Sequence, residues 1–322
     1  AAGVCHSDLH FQNGSYPYPL PVILGHESAG VVEAVGSDVK YVQSGDHVIT
    51  CLSAFCGHCE YCLTGQMSLC QEPELQRKGG ESPRLAQEGT PIAQFLNLSS
   101  FAEYMLVHEH AVAKVREDMP LDRAALIGCG VTTGVGAVIH TAAVEPGSTV
   151  AVIGCGGVGL SCINGAEIAG ASRIIAVDTL ASKLELARKF GATEVVNAAD
   201  NDPVEAVREL TGGGVHYAFE AIGLKVTTEQ AFKMIRAGGC ATVIGMIPVG
   251  TMVEIHGPEF LREKKLQGSN MGSNRFRVDM PRYVEFYLAG KLHLDDMISS
   301  HIKLEDVNDA FAQLETGEVA RN

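Results

Sequence analysis

Thr149-Val150-Ala151-Val152-Ile153 runs directly into Gly154-Cys155-Gly156-Gly157-Val158-Gly159, after which an apolar pattern continues to Ala169. The first five residues read as a buried strand and those from Val158 as a helix, which places the glycines in the turn between them. In that context G-x-G-x-x-G is a dinucleotide-binding fingerprint. Gly154 permits the tight turn, Gly156 lets backbone N–H groups approach a pyrophosphate, and Gly159 lets helix and strand pack closely. Gly157 and Val158 open the helix whose N-terminus faces the phosphates. The competing reading is a glycine-rich turn that holds no ligand.

Towards the C-terminus the same texture repeats. A strand at 173–177 precedes Asp178, a helix at 182–190 ends at Gly191, and a strand follows at 194–196. A helix opened by Pro203, a strand at 217–220, a helix around 228–235 and a strand at 241–244 complete the series. Alternation of this kind requires a parallel sheet covered by helices, an α/β doubly wound Rossmann domain. Asp178 ends the second strand about twenty residues beyond the glycines, where a carboxylate accepts the ribose hydroxyls of NAD and repels the additional phosphate of NADP. Thr179 and Leu180 follow it, so no arginine stands ready for a 2′-phosphate, and NAD is the expected cofactor. Lys183 is a candidate for the same ribose, or a solvated lysine on a first helical turn.

Towards the N-terminus the pattern differs. Residues 1–130 are rich in Gly, Pro, His and Cys, with short β-branched runs at 29–35 and 47–50, and read as irregular β structure. Within them Cys56, Cys59, Cys62 and Cys70 have the spacing C-x2-C-x2-C-x7-C, with Gly57 and Gly65 to allow sharp turns. Four thiolates so spaced close a tetrahedral shell around a structural zinc and leave no open position. A zinc ribbon for nucleic acid is the rival reading, and acidity counts against it. After about 270, helices at 281–289 and 304–314 are expected to return to the first domain. The expected division is 1–130, 131–270 and 271–322. A chain that opens at Ala1, with a motif by its fifth residue, and ends at Asn322 without a finishing strand reads as one trimmed at both ends.

Composition narrows the partners. The chain has 322 residues, 46% of them hydrophobic, enough for two packed cores. A formal charge of −14 offers no basic surface for nucleic acid or anionic membrane. Every apolar run is soon broken by Gly, Pro or a charge, so no membrane span is expected. Ten cysteines in a chain this long, four of them in one cluster, fit metal binding in a reducing cytoplasm better than a disulfide scaffold.

Three further segments are scattered: Gly3-Val4-Cys5-His6-Ser7-Asp8-Leu9-His10, Gly25-His26-Glu27, and Gly128-Cys129-Gly130-Val131-Thr132-Thr133-Gly134. Together with the four-cysteine loop and the glycine turn, and in this order, they resemble the zinc-containing alcohol dehydrogenases of the medium-chain dehydrogenase/reductase superfamily, nearest in texture to the class III-like members. The resemblance spans nearly the whole chain. It implies a GroES-like β-barrel-type catalytic domain ahead of the Rossmann domain, with the active site between them, in a homodimer or homotetramer.

By the same resemblance Cys5, His26 and Cys129 are the protein ligands of a catalytic zinc, the second per chain, whose fourth position takes water or substrate oxygen. Such a metal acts as a Lewis acid and lowers the pKa of an alcohol before hydride leaves. Asp8 is then placed to orient His26 and Glu27 to tune the metal from behind, although both also read as surface charges. Ser7 and His10 resemble the family's proton relay, which runs from a hydroxyl through cofactor ribose to an imidazole; His10 reads otherwise as an exposed loop histidine. His6 and Arg321 resemble contacts to the cofactor pyrophosphate. Thr133 resembles a residue that touches the nicotinamide, or is a helix cap.

The implied activity is reversible hydride transfer between a primary or secondary alcohol, with its aldehyde or ketone, and NAD. Two alternatives lie within the superfamily. An S-(hydroxymethyl)glutathione-type formaldehyde dehydrogenase would carry an acidic loop between His10 and Gly25, where this chain has Gly14-Ser15-Tyr16-Pro17-Tyr18-Pro19-Leu20-Pro21. Tyr16, Tyr18 and Leu20 there suggest an apolar wall for a plain alcohol or aryl aldehyde. A polyol dehydrogenase would have an acidic ligand in place of Cys129. A lens-crystallin-like structural relative would have lost ligands that this chain retains.

Overall fold

The computed structural model describes residues 1–71, 75 and 82–316. Contacts divide the chain into two compact units, one built from Ala1–Thr132 with the chain from Asn274 onward, the other from Thr133–Ser273.

In the first unit the strands are short: β1 Ala2–Gly3, β2 Val22–Ile23, β3 Glu27–Val31, β4 His47–Thr50, β5 Leu85–Gln87, β6 Thr90–Gln94 and β7 Val112–Lys114. They form a sheet in the order β1-β3-β4-β7 and another in the order β2-β6-β5. The strand expected at 29–35 is β3, which starts two residues earlier and ends four residues earlier, at Val31. Beyond it the chain turns away, with Val32 N–H donating to Asp46 O and Gly45 N–H to Val32 O. Helix His6–Gln12 is held from below: Leu9 and Val4 join Ala310, Phe311 and Leu314 of helix Val307–Thr316 in a buried cluster. Each large apolar side chain buried there contributes about 2 kcal/mol.

Helix Phe276–Leu288 begins five residues before the expected start at Pro281. Asp279 Oδ2 accepts the Arg275 N–H at 2.7 Å, which secures an earlier start, and Phe276 and Met280 are buried ahead of the proline. The helix expected to open at Leu304 starts as a 3-10 turn, Leu304–Asp306, and becomes α at Val307.

The second unit holds six parallel strands in the order β10-β9-β8-β11-β12-β13. They are β8 Thr149–Ile153, β9 Arg173–Asp178, β10 Glu194–Asn197, β11 Val215–Glu220, β12 Ile235–Val243 and β13 Lys265–Gly268. The order reverses between β8 and β11, the switch point at whose carboxyl edge ligands bind in such sheets. Its core is Ile153, Val177, Val196, Phe232 and their neighbours, buried between the sheet and helices such as Pro203–Thr211 and Lys225–Met234. β13 carries no apolar run and was not foreseen; its register against β12 supplies what its composition does not.

One helical run, Leu121–Thr141, is long and apolar enough to cross a membrane by length and composition alone. Of its most apolar window 83% is buried inside the protein, which marks a core helix.

Candidate active site

Cys5, His26 and Cys129 come from three separate elements, and their ligating atoms lie within 4.8 Å of one another. Cys5 precedes helix His6–Gln12 as its N-cap, in extended geometry. His26 leads into β3 after Gly25, whose φ of +94° and contact with Phe101 exclude a side chain. Cys129 sits in a π-helical turn, Ile127–Val131, inside the long helical run. The wider turn is closed by a 2.6 Å bond from Thr132 Oγ1 to Ile127 O, and it aims the thiol at His26 Nε2, 3.2 Å away.

All three residues are buried. Asp8, also buried, accepts from His26 Nδ1 at 3.1 Å and from Gly25 N–H at 2.9 Å through the same oxygen. That bond keeps the proton on Nδ1 and leaves the Nε2 lone pair facing the thiols, as a metal ligand requires. Burial pushes the His26 pKa down, but the Asp8 carboxylate and Cys5 outweigh it and hold the pKa well above its usual value. Two soft thiols and an imidazole within reach of one another make a donor set of the kind that binds zinc. Behind it, the buried Glu27 accepts the Gly130 N–H at 3.0 Å and so braces the turn that carries Cys129.

Ser7 and His10 stand one turn apart on helix His6–Gln12 and are half-buried, whereas His6 is exposed. The His10 ring meets His6 edge-on at 5.1 Å and Tyr16 at 6.1 Å. Burial and the neighbouring His6 lower its pKa against the opposing pull of Cys5, which favours a neutral imidazole able to accept a proton.

An aromatic group adjoins these residues. Phe95 is fully buried, with its ring 5.9 Å from His26, 4.8 Å from Phe11 and 5.2 Å from Tyr18. Phe11 meets Tyr16 at 5.7 Å. Tyr16 and Tyr18 thus belong to an aromatic wall, Tyr18 being pinned by its hydroxyl, which donates to Gln94 O at 3.0 Å and accepts Leu96 N–H at 3.1 Å. Leu20 does not: it is 81% exposed, beyond the cluster. Sequence reasoning missed Phe11 and Phe95. Phe11 carried one signal, its place next to His10; Phe95 carried none.

The four-cysteine loop is a second metal-sized group. Its sulfurs stand 3.8 Å (Cys56 to Cys62), 3.5 Å (Cys59 to Cys62) and 3.8 Å (Cys59 to Cys70) apart. Tetrahedral zinc with bonds of about 2.3 Å requires sulfur separations of about 3.8 Å. The N–H groups of His58 and Cys59 donate to Cys56 Sγ, and that of Cys56 to Cys70 Sγ, which suits thiolates.

In the second unit β8 delivers Gly154 at φ +93°, and helix Gly157–Ile168 starts after Gly156 with no side chain capping its first N–H groups. A Cβ on Gly159 would overlap the carbonyl oxygen of Gly154, so that glycine is a packing necessity. A Cβ on Gly156 would meet nothing within 4 Å, so packing does not demand that glycine. Asp178 ends β9; its carboxylate accepts Cys155 N–H at 2.8 Å and Leu180 N–H at 3.0 Å, which fixes it beside the glycine turn. Lys183 is half-buried on the next helix. Thr133 lies inside the helical run rather than at a cap, its hydroxyl 3.3 Å from Met271 Sδ. Arg321 lies outside the described residues.

Residues 1–117 match the family model described as alcohol dehydrogenase GroES-like domain, and residues 157–288 the one described as zinc-binding dehydrogenase. The chain is 39% identical over 323 residues to an alcohol dehydrogenase class-3 from Oryza sativa subsp. japonica, covering 98% of this chain and 85% of the relative. Its fold is similar to the crystal structure of an alcohol dehydrogenase zinc-binding domain protein from Burkholderia ambifaria, at a TM-score of 0.93 and 38% identity, over 100% of this chain and 88% of the other. It is also similar to benzyl alcohol dehydrogenase from Acinetobacter calcoaceticus, at a TM-score of 0.92 and 36% identity, with the same coverage.

Proposed function

The chain belongs to the zinc-binding alcohol dehydrogenases of the medium-chain dehydrogenase/reductase superfamily, and from that premise we propose an NAD-dependent oxidation of aryl primary alcohols at Cys5, His26 and Cys129. As a member it is an oxidoreductase that uses zinc and a nicotinamide cofactor to interconvert alcohols with aldehydes or ketones. The observation that carries the reading is the convergence of those three buried ligands, with Asp8 behind the imidazole.

Zinc held there supplies a Lewis acid that lowers the pKa of an alcohol, and NAD supplies the hydride acceptor. Asp8 orients His26, Glu27 steadies the Cys129 turn, and Ser7 with His10 accepts and passes on the proton the alcohol loses. Cys56, Cys59, Cys62 and Cys70 hold a second, structural zinc whose shell is closed by protein. Gly154, Gly156, Gly157, Val158 and Gly159 cradle the pyrophosphate, and Asp178, with Lys183, engages the ribose. NAD over NADP is supported by that carboxylate and by Thr179 and Leu180 beside it. His6 and Thr133 remain assigned to the cofactor.

Phe95 against His26, with Phe11, Tyr16 and Tyr18, supports an aryl group next to the reacting carbon, as does the likeness to a benzyl alcohol dehydrogenase. Exposed Val249, Met252, Phe260 and Leu261 within one short stretch support a homodimer or homotetramer. Ten cysteines without a disulfide support a reducing, cytoplasmic setting.

Elemental analysis is expected to find one zinc for each of the two ligand groups, and the protein to reduce NAD on benzyl alcohol with a kcat/KM at least about tenfold that on ethanol. Zinc in the four-cysteine loop alone, with no turnover on any alcohol, would refute the reading. Asp8→Ala should lower zinc affinity or kcat/KM by about 10- to 100-fold, because the His26 ring loses its anchor. Unchanged values in that variant would mean that Asp8 does not orient the ligand.

A further inference from the structure

Glu220 ends β11 level with Ile153 of β8 and Val243 of β12, at the carboxyl edge of the switch point, and it is fully buried. A carboxylate in that position needs donors, since an unpaired buried charge is strongly disfavoured. Oε1 accepts three: Ile222 N–H at 2.9 Å, Gly223 N–H at 2.8 Å and the Thr227 hydroxyl at 2.7 Å. The main-chain oxygen accepts Ile244 N–H at 2.9 Å and Gly245 N–H at 3.1 Å. Oε2 is buried and has no hydrogen-bond partner among the described residues.

One side chain and its own backbone therefore tie two turns together, 221–223 and 244–246. Those turns touch closely enough that a Cβ on Gly223 would lie 2.5 Å from Met246 O, and one on Gly245 would overlap Gly223 N. The first turn also leans on the glycine loop. Ala221 N–H donates to Ile153 O at 2.9 Å, and a Cβ on Gly154 would meet Ile222 Cγ1 at 2.5 Å. Ile222 is nonetheless 40% exposed, so its side chain abuts the phosphate loop on one side and faces solvent on the other.

We propose that Glu220 is a positioning residue for the dinucleotide: it holds the 221–223 turn and Ile222 against Gly154, so that the glycine loop and Ile222 form one preformed surface for the cofactor. Preorganisation matters because a turn ordered only on binding subtracts its ordering cost from the affinity. The proposal rests on the dinucleotide assignment made above.

The test is a double-mutant cycle on the full chain, read by NADH fluorescence titration. Glu220→Ala is expected to raise the NADH Kd about tenfold, Ile222→Ala about threefold, and the pair no more than Glu220→Ala alone. Glu220→Gln, which keeps the Oε1 acceptor, should bind within about threefold of the parent. Without cofactor, the Ile222 and Gly223 amides should exchange faster in Glu220→Ala while zinc content is unchanged. If Glu220→Ala does not fold, Glu220→Asp takes its place in the cycle. Additive effects, or an unchanged NADH Kd in a folded Glu220→Ala or Glu220→Asp, overturn the proposal and leave Glu220 a turn anchor. A parent that binds no NADH overturns the dinucleotide assignment itself, and this proposal with it.

Discussion

Cys129→Ala is expected to cost the protein one of its two proposed zincs and to cut kcat/KM on benzyl alcohol by about 10⁴-fold, or about 5.4 kcal/mol of transition-state stabilisation. The thiol is buried and 3.2 Å from His26 Nε2, so its removal leaves only Cys5 and His26 as protein donors. The fold should survive. The Cys129 turn is closed by the Thr132 hydroxyl and braced by Glu27, neither of which depends on the thiol. Elemental analysis, thermal melting and steady-state kinetics on one preparation separate these effects. A variant that retains its full zinc content and activity would show that Cys129 is not a ligand. One that loses both zincs and melts far below the parent would show that the two sites are coupled through the fold.

Gly159→Ala should be the most damaging single-methyl change in the nucleotide unit. The added Cβ would overlap the carbonyl oxygen of Gly154, a backbone atom that cannot swing aside, so helix Gly157–Ile168 must lift off β8. About 3 kcal/mol of stability and about 100-fold in NADH affinity are expected to go together. Gly156→Ala makes the informative contrast. Its Cβ enters open space, so the melting temperature should hold while NADH binding falls, since the methyl occupies room left for the pyrophosphate. Thermal melting with NADH titration decides the matter. Equal effects of the two variants on stability would contradict the packing of the turn, and unaltered NADH binding in Gly156→Ala would contradict the cradle.

The parts of the site legible in the sequence are those whose residues are close along the chain. The glycine turn declares itself because strand period, turn and helix period follow one another within twenty residues. The four-cysteine loop does so because its ligands fall within fifteen. Cys5, His26 and Cys129 were legible only as members of a known pattern of motifs, since nothing local to any of them marks a ligand. The aromatic wall was half legible: Tyr16 and Tyr18 stand in an unusual Pro-rich loop, while Phe95 is one apolar residue among many until its ring is found against His26.

By itself the sequence determined the alternation that makes the second unit a parallel doubly wound sheet, the glycine turn after β8 with Asp178 at the end of the next strand, and the gathering of four cysteines on one loop. Hydrophobic period, glycine placement and short ligand spacing act over a few residues, and no distant contact is needed to read them. Only the tertiary structure decided that Asp8 and Cys129, the latter 103 residues further along than His26, meet at one imidazole. It alone set the π turn that aims the thiol, the edge strand β13 and the burial of Glu220. Those features depend on packing between segments far apart in sequence, where burial and orientation are settled by whichever neighbours the fold supplies.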